Sequence, residues 1–140
     1  MDSNLRRSII LDNYNNPNNR QRHDNEDYIK TNSRNISCID NIDVYVKIED
    51  NTIKDITYEG EACAISISSS SIISNLLKDK TIEEAKEIIN NYYNMIEEKE
   101  YNKELLEEAN VFDEIYKQPS RKMCATLIVR GIEDIINKMK

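Results

Sequence analysis

The 140-residue chain is long enough for one domain with a single hydrophobic core, and we expect residues 1–140 to form one domain. Its net charge of −7 excludes a broad nucleic-acid surface, because such a surface needs a basic stripe. No apolar run approaches the ~18 residues of a membrane span. The N-terminus lacks a secretory signal pattern, so we expect a cytoplasmic protein without nucleic-acid or membrane partners.

The N-terminal part of the chain predicts a helix followed by a loop. Apolar residues recur with helical spacing over residues 5–15, and Pro17 stops this helix. Residues 18–30 are polar and predict a loop. The only histidine, His23, lies in this loop, and we expect its side chain to be solvated rather than functional.

Three strands are predicted next. A strand over residues 28–36 leads into the first cysteine. Apolar and polar residues alternate over residues 42–49, which is typical of a half-buried strand. Asp50 and Asn51 supply turn chemistry, so residues 42–59 predict an antiparallel hairpin.

The rest of the chain predicts helices. One segment combines isoleucine anchors with six closely spaced serines, and the isoleucines favour a helix over a serine-rich linker. Thr81 and Glu84 have the spacing of a capping box, and Pro119 fits the first turn of a last helix. The helices predicted here cover residues 64–77, 82–97, 101–110 and 119–138.

Each of the three cysteines lies in a short motif that could contribute to a metal site. The first cysteine is followed two residues later by an aspartate, the second separates a predicted strand from a helix, and the third lies near the start of the last predicted helix. Tetrahedral zinc accepts both thiolate sulfur and carboxylate oxygen. The candidate ligands are therefore Cys38, Asp40, Cys63 and Cys124.

A simpler interpretation of these residues stays open. Cysteine is often buried as a small hydrophobic residue, the chain has no CxxC pair, and Asp40 also suits a turn or a strand edge. Position favours ligands, because helix N-termini carry a partial positive charge that stabilises thiolates. Such a site would be negatively charged and would need cations nearby. Arg121 and Lys122 are candidates, although ordinary solvated charge explains Lys122 better.

The motifs resemble those of the U-type iron–sulfur cluster assembly proteins, the IscU/SufU/NifU N-terminal family. Residues 7–19 are similar to the opening helix and Asn-Pro turn of that family. Residues 38–40 (Cys-Ile-Asp) match its Cys-Gly-Asp motif, and residues 60–66 match its Gly-Glu-Gly-Cys-x-Ile-Ser stretch. Residues 124–127 (Cys-Ala-Thr-Leu) match the third motif, and the serine-rich helix lies before it as in the family.

Three details resemble the SufU branch of this family. IscU-type members carry a histidine directly before the third cysteine, where this chain has Met123. The interval between Cys63 and Cys124 is longer than in IscU-type members and resembles the SufU-type insertion. Arg121 stands where SufU-type proteins carry an arginine three residues before the last cysteine.

The resemblance implies an α+β fold, with a three-stranded antiparallel sheet packed by about five helices on one side and the site at one end near the surface. It implies zinc bound by Cys38, Asp40, Cys63 and Cys124, with Arg121 beside the site. Cys38 would accept persulfide sulfur from a SufS-like cysteine desulfurase, whose docking exchanges one zinc ligand and frees the accepting thiolate. The sulfur would pass to a downstream cluster-building complex, which would make the chain a zinc-dependent sulfurtransferase.

Two other functions stay open at this point. The same ligands could hold a [2Fe–2S] cluster, and the chain would then be a scaffold that assembles and transfers that cluster. A small domain with structural zinc and an adaptor role is the third interpretation. The absent histidine and the long insertion favour zinc and sulfur relay.

Four positions depart from the family pattern. Ile39 and Ala62 replace two glycines, Asn13 replaces a histidine common in the opening helix, and Met123 differs from the lysine frequent in SufU-type proteins. Glycine is used where the backbone needs positive φ or a close approach. We expect these departures to affect partner choice more than metal binding, because all four ligands are present.

Overall fold

The computed structural model describes residues 1–139, so Lys140, the last residue of the predicted domain, lies outside the described residues. Within the described residues the chain forms three strands, six α-helices and two 3₁₀ helices. In chain order the strands and α-helices are α1 (Ser3–Asn15), β1 (Tyr28–Arg34), β2 (Asn41–Glu49), β3 (Thr52–Glu61), α2 (Ala64–Leu77), α3 (Ile82–Ile96), α4 (Lys103–Leu106), α5 (Pro119–Ala125) and α6 (Leu127–Lys138). The 3₁₀ helices are Glu107–Phe112 and Ile115–Lys117.

The three strands form one antiparallel sheet in the order β1-β2-β3, which confirms the predicted α+β fold. Strands β2 and β3 are joined at Asp50 and Asn51, whose φ angles are 51° and 61°. Two successive residues with positive φ are typical of the tight turn whose twist matches a β-hairpin. The turn chemistry read from the sequence therefore fixes the hairpin.

Helix α6 covers the face of β2 that carries Ile42, Val44 and Val46, all of which are fully buried. The approach is close, because a Cβ atom added to Gly131 would lie 2.8 Å from Cγ2 of Val44. Helix α2 packs on β3 in the same layer. The helices thus anchor the end of the sheet from which the β1–β2 loop emerges.

The serine-rich segment is a buried helix, as predicted. All six serines of α2 are at most 1% exposed, and most of their hydroxyls bond to backbone carbonyls one turn earlier in the helix. Small side chains let α1 pack directly on α2, where the Ser71 hydroxyl donates to Oδ1 of the buried Asn13 at 2.7 Å. Asn13 thus has a structural role at the position where the family commonly carries histidine.

The opposite face of the sheet is covered by the segment between α1 and β1, and here one prediction was wrong. The His23 side chain is only 16% exposed, because its ring stacks on Tyr28 with centroids 3.9 Å apart. It also contacts the ring of Tyr45 edge-on. The polar neighbours of His23 in the sequence gave no signal of these contacts, which depend on strand pairing.

The predicted helix over residues 119–138 is divided into α5 and α6. Thr126 breaks it, with φ −103° and ψ 4°, and its hydroxyl donates to the carbonyl oxygen of Lys122 at 2.9 Å. Threonine hydroxyls compete with the backbone for such carbonyls. The predicted helix over 101–110 is likewise replaced by the short α4 and a 3₁₀ helix, because Glu107 has a positive φ of 45°. The break at Thr126 raises the number of α-helices from the predicted five or so to six among the described residues.

Among residues 1–139, no helix is both long enough and apolar enough to cross a bilayer.

Candidate metal centre

The loop between β1 and β2 presents the first two candidate ligands. Asn35 closes this loop, since its N–H donates to the carbonyl oxygen of Asp40 and its own carbonyl accepts from the N–H of Cys38, both at 3.0 Å. The Asn35 side chain also accepts from the N–H and hydroxyl of Ser37. The result is a compact turn that leaves Cys38 exposed and directs Asp40 inward, where it is 1% exposed.

The second cysteine is the N-cap residue of α2, as its position in the sequence predicted. The backbone N–H of Cys63 donates to Oδ1 of Asp40 at 2.8 Å. Its sulfur lies 3.9 Å from Oδ2 of the same carboxylate. The start of α2 therefore holds one candidate thiol directly against the candidate carboxylate.

The third cysteine is not at a helix N-terminus, which corrects one expectation. Cys124 is the penultimate residue of α5, because Thr126 ends that helix early. Its side chain is 6% exposed and belongs to the edge of the hydrophobic core. Stabilisation of a Cys124 thiolate would therefore have to come from a bound cation rather than from a helix dipole.

Three of the four predicted ligands come together in the folded chain. One ligand atom from each of Cys38, Asp40 and Cys124 lies within 4.8 Å of the other two. Zinc–thiolate bonds of about 2.3 Å in a tetrahedron place sulfur atoms about 3.8 Å apart. Cys63 is outside this trio, but its sulfur contacts Oδ2 of Asp40.

The donor chemistry of this cluster fits a thiophilic cation. Burial pushes the pKa of the Asp40 carboxyl upward, but hydrogen bonds from the Ser66 hydroxyl, the Cys63 N–H and the two thiols outweigh this and leave it below its usual range. Burial raises the pKa of the Cys124 thiol to about 12, and the adjacent Cys63 and Asp40 add to the effect. A cysteine that binds a metal must be a thiolate, so a cation bound here would lower the pKa of Cys124 and favour its deprotonated form.

Ser66 and Asn35 support the candidate ligands, and sequence reasoning gave neither residue a role. The hydroxyl of the fully buried Ser66 donates to Oδ2 of Asp40 at 2.5 Å and lies 3.5 Å from the sulfur of Cys63. The amide of Asn35 donates to the sulfur of Cys124 at 3.9 Å. The position of Ser66 in the second motif could have indicated its role, whereas nothing in the sequence around Asn35 did so.

Arg130 of α6 is another residue that the sequence did not reveal. Its guanidinium donates to the carbonyl oxygen of Met123 at 2.6 Å and to that of Arg34 at 3.4 Å. It also donates to the hydroxyl of Thr126 at 3.3 Å. Arg130 therefore joins the end of β1 to the α5 segment that carries Cys124.

The predicted neighbouring cations differ in their surroundings. Arg121 is exposed and lines a surface depression of about 590 Å³ that also contains all three cysteines. Its guanidinium makes no hydrogen bond or ion pair within residues 1–139. Lys122 instead pairs with Oε2 of Glu97 at 3.3 Å, away from the sulfurs. A role for Arg121 at the site stays a prediction.

The backbone accepts the two side chains that replace family glycines. Ile39 and Ala62 are not among the described residues with positive φ, so neither side chain strains the backbone. Gly60 is the glycine that the site requires, with φ +149°. A Cβ atom there would lie 2.2 Å from the carbonyl oxygen of Asn41 on the neighbouring strand. The second motif thus keeps its glycine where no other residue fits.

Comparison with known proteins gives the same family as the motifs. Residues 5–125 match the model of the NifU-like N terminal domain. The chain is 32% identical to the zinc-dependent sulfurtransferase SufU of Bacillus subtilis over 96% of its own length and 90% of that protein. It is 28% identical to the iron–sulfur cluster assembly scaffold protein IscU of Thermotoga maritima, over 76% of this chain and 75% of that one.

Solved structures agree with the sequence matches. The crystal structure of SufU from Fervidobacterium islandicum superposes on this chain with a TM-score of 0.88. The two sequences are 26% identical, and the match covers 96% of this chain and 99% of the other. Fold, motifs and relatives therefore place the chain in the NifU-like N-terminal domain family of U-type iron–sulfur cluster assembly proteins, on its SufU side.

Proposed function

We propose that the chain accepts persulfide sulfur on Cys38 from a SufS-like cysteine desulfurase and passes it to a cluster-building complex, with zinc as its resident metal. The observation that carries this proposal is the unequal exposure of clustered donors. Cys38 is exposed, while Asp40 and Cys124, whose ligand atoms lie within 4.8 Å of it, are buried. The Cys38 thiol can meet a partner while Asp40 and Cys124 stay inside the protein.

The proposed role of each ligand follows from its burial. Asp40, Cys63 and Cys124 would hold the metal from the protein side, and Cys38 would complete the set from the solvent side. Zinc, when bound, would stabilise thiolates without offering redox chemistry of its own. The loop closed by Asn35 keeps Cys38 at the surface, where a donor protein can reach its sulfur.

The transfer step is a thiol exchange that balances without an added oxidant or reductant. The Cys38 thiolate attacks the outer sulfur of the donor persulfide, R–S–SH. The S–S bond of the donor breaks, and the donor cysteine leaves as a thiolate. Cys38 then carries the sulfur as Cys–S–SH, so the oxidation level of the transferred sulfur is unchanged.

A scaffold that builds a [2Fe–2S] cluster on the same donors is the second candidate. Thiolates and a carboxylate can hold iron as well as zinc, and relatives named as IscU scaffolds match this chain. Met123 stands where IscU-type proteins carry histidine, and the match to a zinc-dependent sulfurtransferase spans nearly the whole chain, so zinc is favoured. An adaptor with structural zinc is less well supported, because a closed site has no use for an exposed Cys38.

Metal analysis and a sulfur-transfer assay test the proposal together. Aerobically purified protein should contain about one zinc per chain and lack visible absorption. Cys38→Ala should fold normally but abolish sulfur uptake from the desulfurase and L-cysteine, and Asp40→Ala should lose zinc to a chelator sooner than wild type. A coloured protein with matching iron and sulfide would support the scaffold instead. Full sulfur uptake by Cys38→Ala would exclude Cys38 as the acceptor.

A further inference from the structure

Asn35 contacts three of the four candidate ligands, one through its side chain and two through its backbone. Its N–H donates to the carbonyl oxygen of Asp40, and its carbonyl accepts from the N–H of Cys38, both at 3.0 Å. Its side-chain amide donates to the sulfur of Cys124 at 3.9 Å. Asn35 is only 4% exposed. One buried residue therefore joins the loop of the exposed thiol to the buried thiol.

Ser37 determines which atom of the Asn35 amide faces Cys124. The backbone N–H of Ser37 donates to Oδ1 of Asn35 at 3.2 Å, and the Ser37 hydroxyl donates to the same oxygen at 2.7 Å. An amide rotated by half a turn would place its NH₂ group against the backbone N–H of Ser37, which cannot accept a hydrogen bond. The Asn35 amide therefore presents its N–H, and not its oxygen, to the sulfur of Cys124.

This hydrogen bond distinguishes Cys124 from Cys38. The other polar neighbours of the Cys124 sulfur are Asp40 and Cys63, which are themselves candidate ligands, whereas Asn35 stays free to donate when a metal binds. Within residues 1–139, no hydrogen bond reaches the sulfur of Cys38. An N–H that donates to a thiolate draws electron density from the sulfur, so Cys124 should be the weaker nucleophile of the two.

We propose that Asn35, oriented by Ser37, is a positioning residue that keeps the accepted sulfur on Cys38. This inference rests on the proposed function, because it concerns the Cys38 persulfide. The ligand atoms of Cys38 and Cys124 lie within 4.8 Å of each other, so a second exchange competes. In that exchange the Cys124 thiolate attacks the outer sulfur of Cys38–S–SH, a new S–S bond forms on Cys124, the old one breaks, and Cys38 leaves as a thiolate. Sulfur on the buried Cys124 would be out of reach of a partner, and the Asn35 N–H disfavours this step.

The test locates the sulfur after loading. The full chain is incubated with the SufS-like cysteine desulfurase of the same genome and L-cysteine, alkylated, and digested with trypsin. Mass spectrometry then reads each cysteine separately, because the three lie on different tryptic peptides, residues 35–47, 55–78 and 123–130. Wild type should carry its persulfide on Cys38. In Asn35→Ala the ratio of persulfide on Cys124 to persulfide on Cys38 should rise about tenfold, the effect expected of one hydrogen bond to a charged group.

A second readout does not depend on sulfur transfer. Chain loaded with Co²⁺ alone should show thiolate-to-cobalt charge-transfer absorption in the near ultraviolet. Loss of the N–H donor leaves more electron density on sulfur, so this band should move to longer wavelength in Asn35→Ala. Asn110→Ala is the matched control, because the Asn110 amide closes another loop by donating to the carbonyl oxygens of Lys103 and Glu107. The control should leave both the cobalt band and the location of the sulfur unchanged.

Ser37→Ala keeps the test decisive if Asn35→Ala does not fold. It should cause both changes at smaller size, and it should add nothing in the Asn35→Ala background, because Ser37 acts through the amide. Persulfide confined to Cys38 in both variants would overturn the role of Asn35 and leave the proposed function intact, whether or not the cobalt band moves. If wild type carries no persulfide on Cys38, the proposed function itself fails.

Discussion

Replacing Ser66 by alanine tests the architecture of the candidate metal centre more directly than removing a ligand. The Ser66 hydroxyl is fully buried and donates to Oδ2 of Asp40 at 2.5 Å. Without it, the carboxylate keeps the N–H of Cys63 as a backbone donor, but its second oxygen loses its hydroxyl donor and keeps only the longer contact with the Cys63 thiol. A hydrogen bond to a charged group contributes about 1.5–3 kcal/mol, so we expect the metal-free variant to be destabilised by about 2 kcal/mol.

Two measurements test the destabilisation expected for Ser66→Ala. For a chain of this size, a loss of about 2 kcal/mol corresponds to a fall in Tm of about 7 °C in the chelator-treated protein. Zinc affinity should fall about 10–100-fold in a competition with a chromophoric chelator, because the residues that orient a ligating carboxylate contribute that much. Ser69→Ala is the matched control, since Ser69 is equally buried in α2 but bonds only to the Ser66 carbonyl.

The pH dependence of the variant gives an independent check. The pKa of Asp40 lies below its usual range in the folded protein. The ionised Asp40 therefore stabilises the fold at pH values above the unfolded pKa of about 3.9, and this stabilisation is lost as the pH falls through the pKa of Asp40 in the folded protein. The difference in stability between wild type and Ser66→Ala should therefore shrink in acid. Equal effects of Ser66→Ala and Ser69→Ala at neutral pH, with wild-type zinc affinity in both, would refute the role given to Ser66.

Two further substitutions test the framework around the site. Gly60→Ala should lower the free energy of unfolding in urea by about 3 kcal/mol, because φ is +149° and the new Cβ would meet the carbonyl oxygen of Asn41. A loss under about 1 kcal/mol would contradict this geometry. Arg130→Ala should cost about 1 kcal/mol and speed zinc loss to a chelator, because the carbonyl oxygens of Met123 and Arg34 lose their shared donor. Arg130→Lys keeps the positive charge but loses the several N–H donors of the guanidinium. Wild-type stability and zinc retention in this variant would therefore show that charge alone is required.

Local sequence patterns were sufficient for most of the elements. The capping box at Thr81 and Glu84 is present with both hydrogen bonds, and helix α3 begins where it indicated. The turn at Asp50 and Asn51 and the buried serine helix were also predicted from residues close together in the chain. These features depend on neighbours within a few residues, which is why a sequence can specify them.

Contacts between distant segments could not be predicted from local sequence patterns. The half-buried stacking of His23 on Tyr28 depends on strand pairing and on the segment that covers the outer face of the sheet. The positions of Asn35 and Arg130 against the site follow from the packing of α5 and α6 beside β1. None of these residues belongs to a motif.

For the candidate site, the sequence by itself determined the chemical types of the donors, because thiols and a carboxylate keep their preference for a thiophilic metal wherever the chain places them. Only the tertiary structure decided that Cys38 stays in solvent while Asp40 and Cys124 are buried beside it. The physical reason is that burial is a property of packing. A tight turn at Asn35 and the core beneath α5 set the exposure of each thiol, and exposure separates a thiol that a partner can reach from one that it cannot.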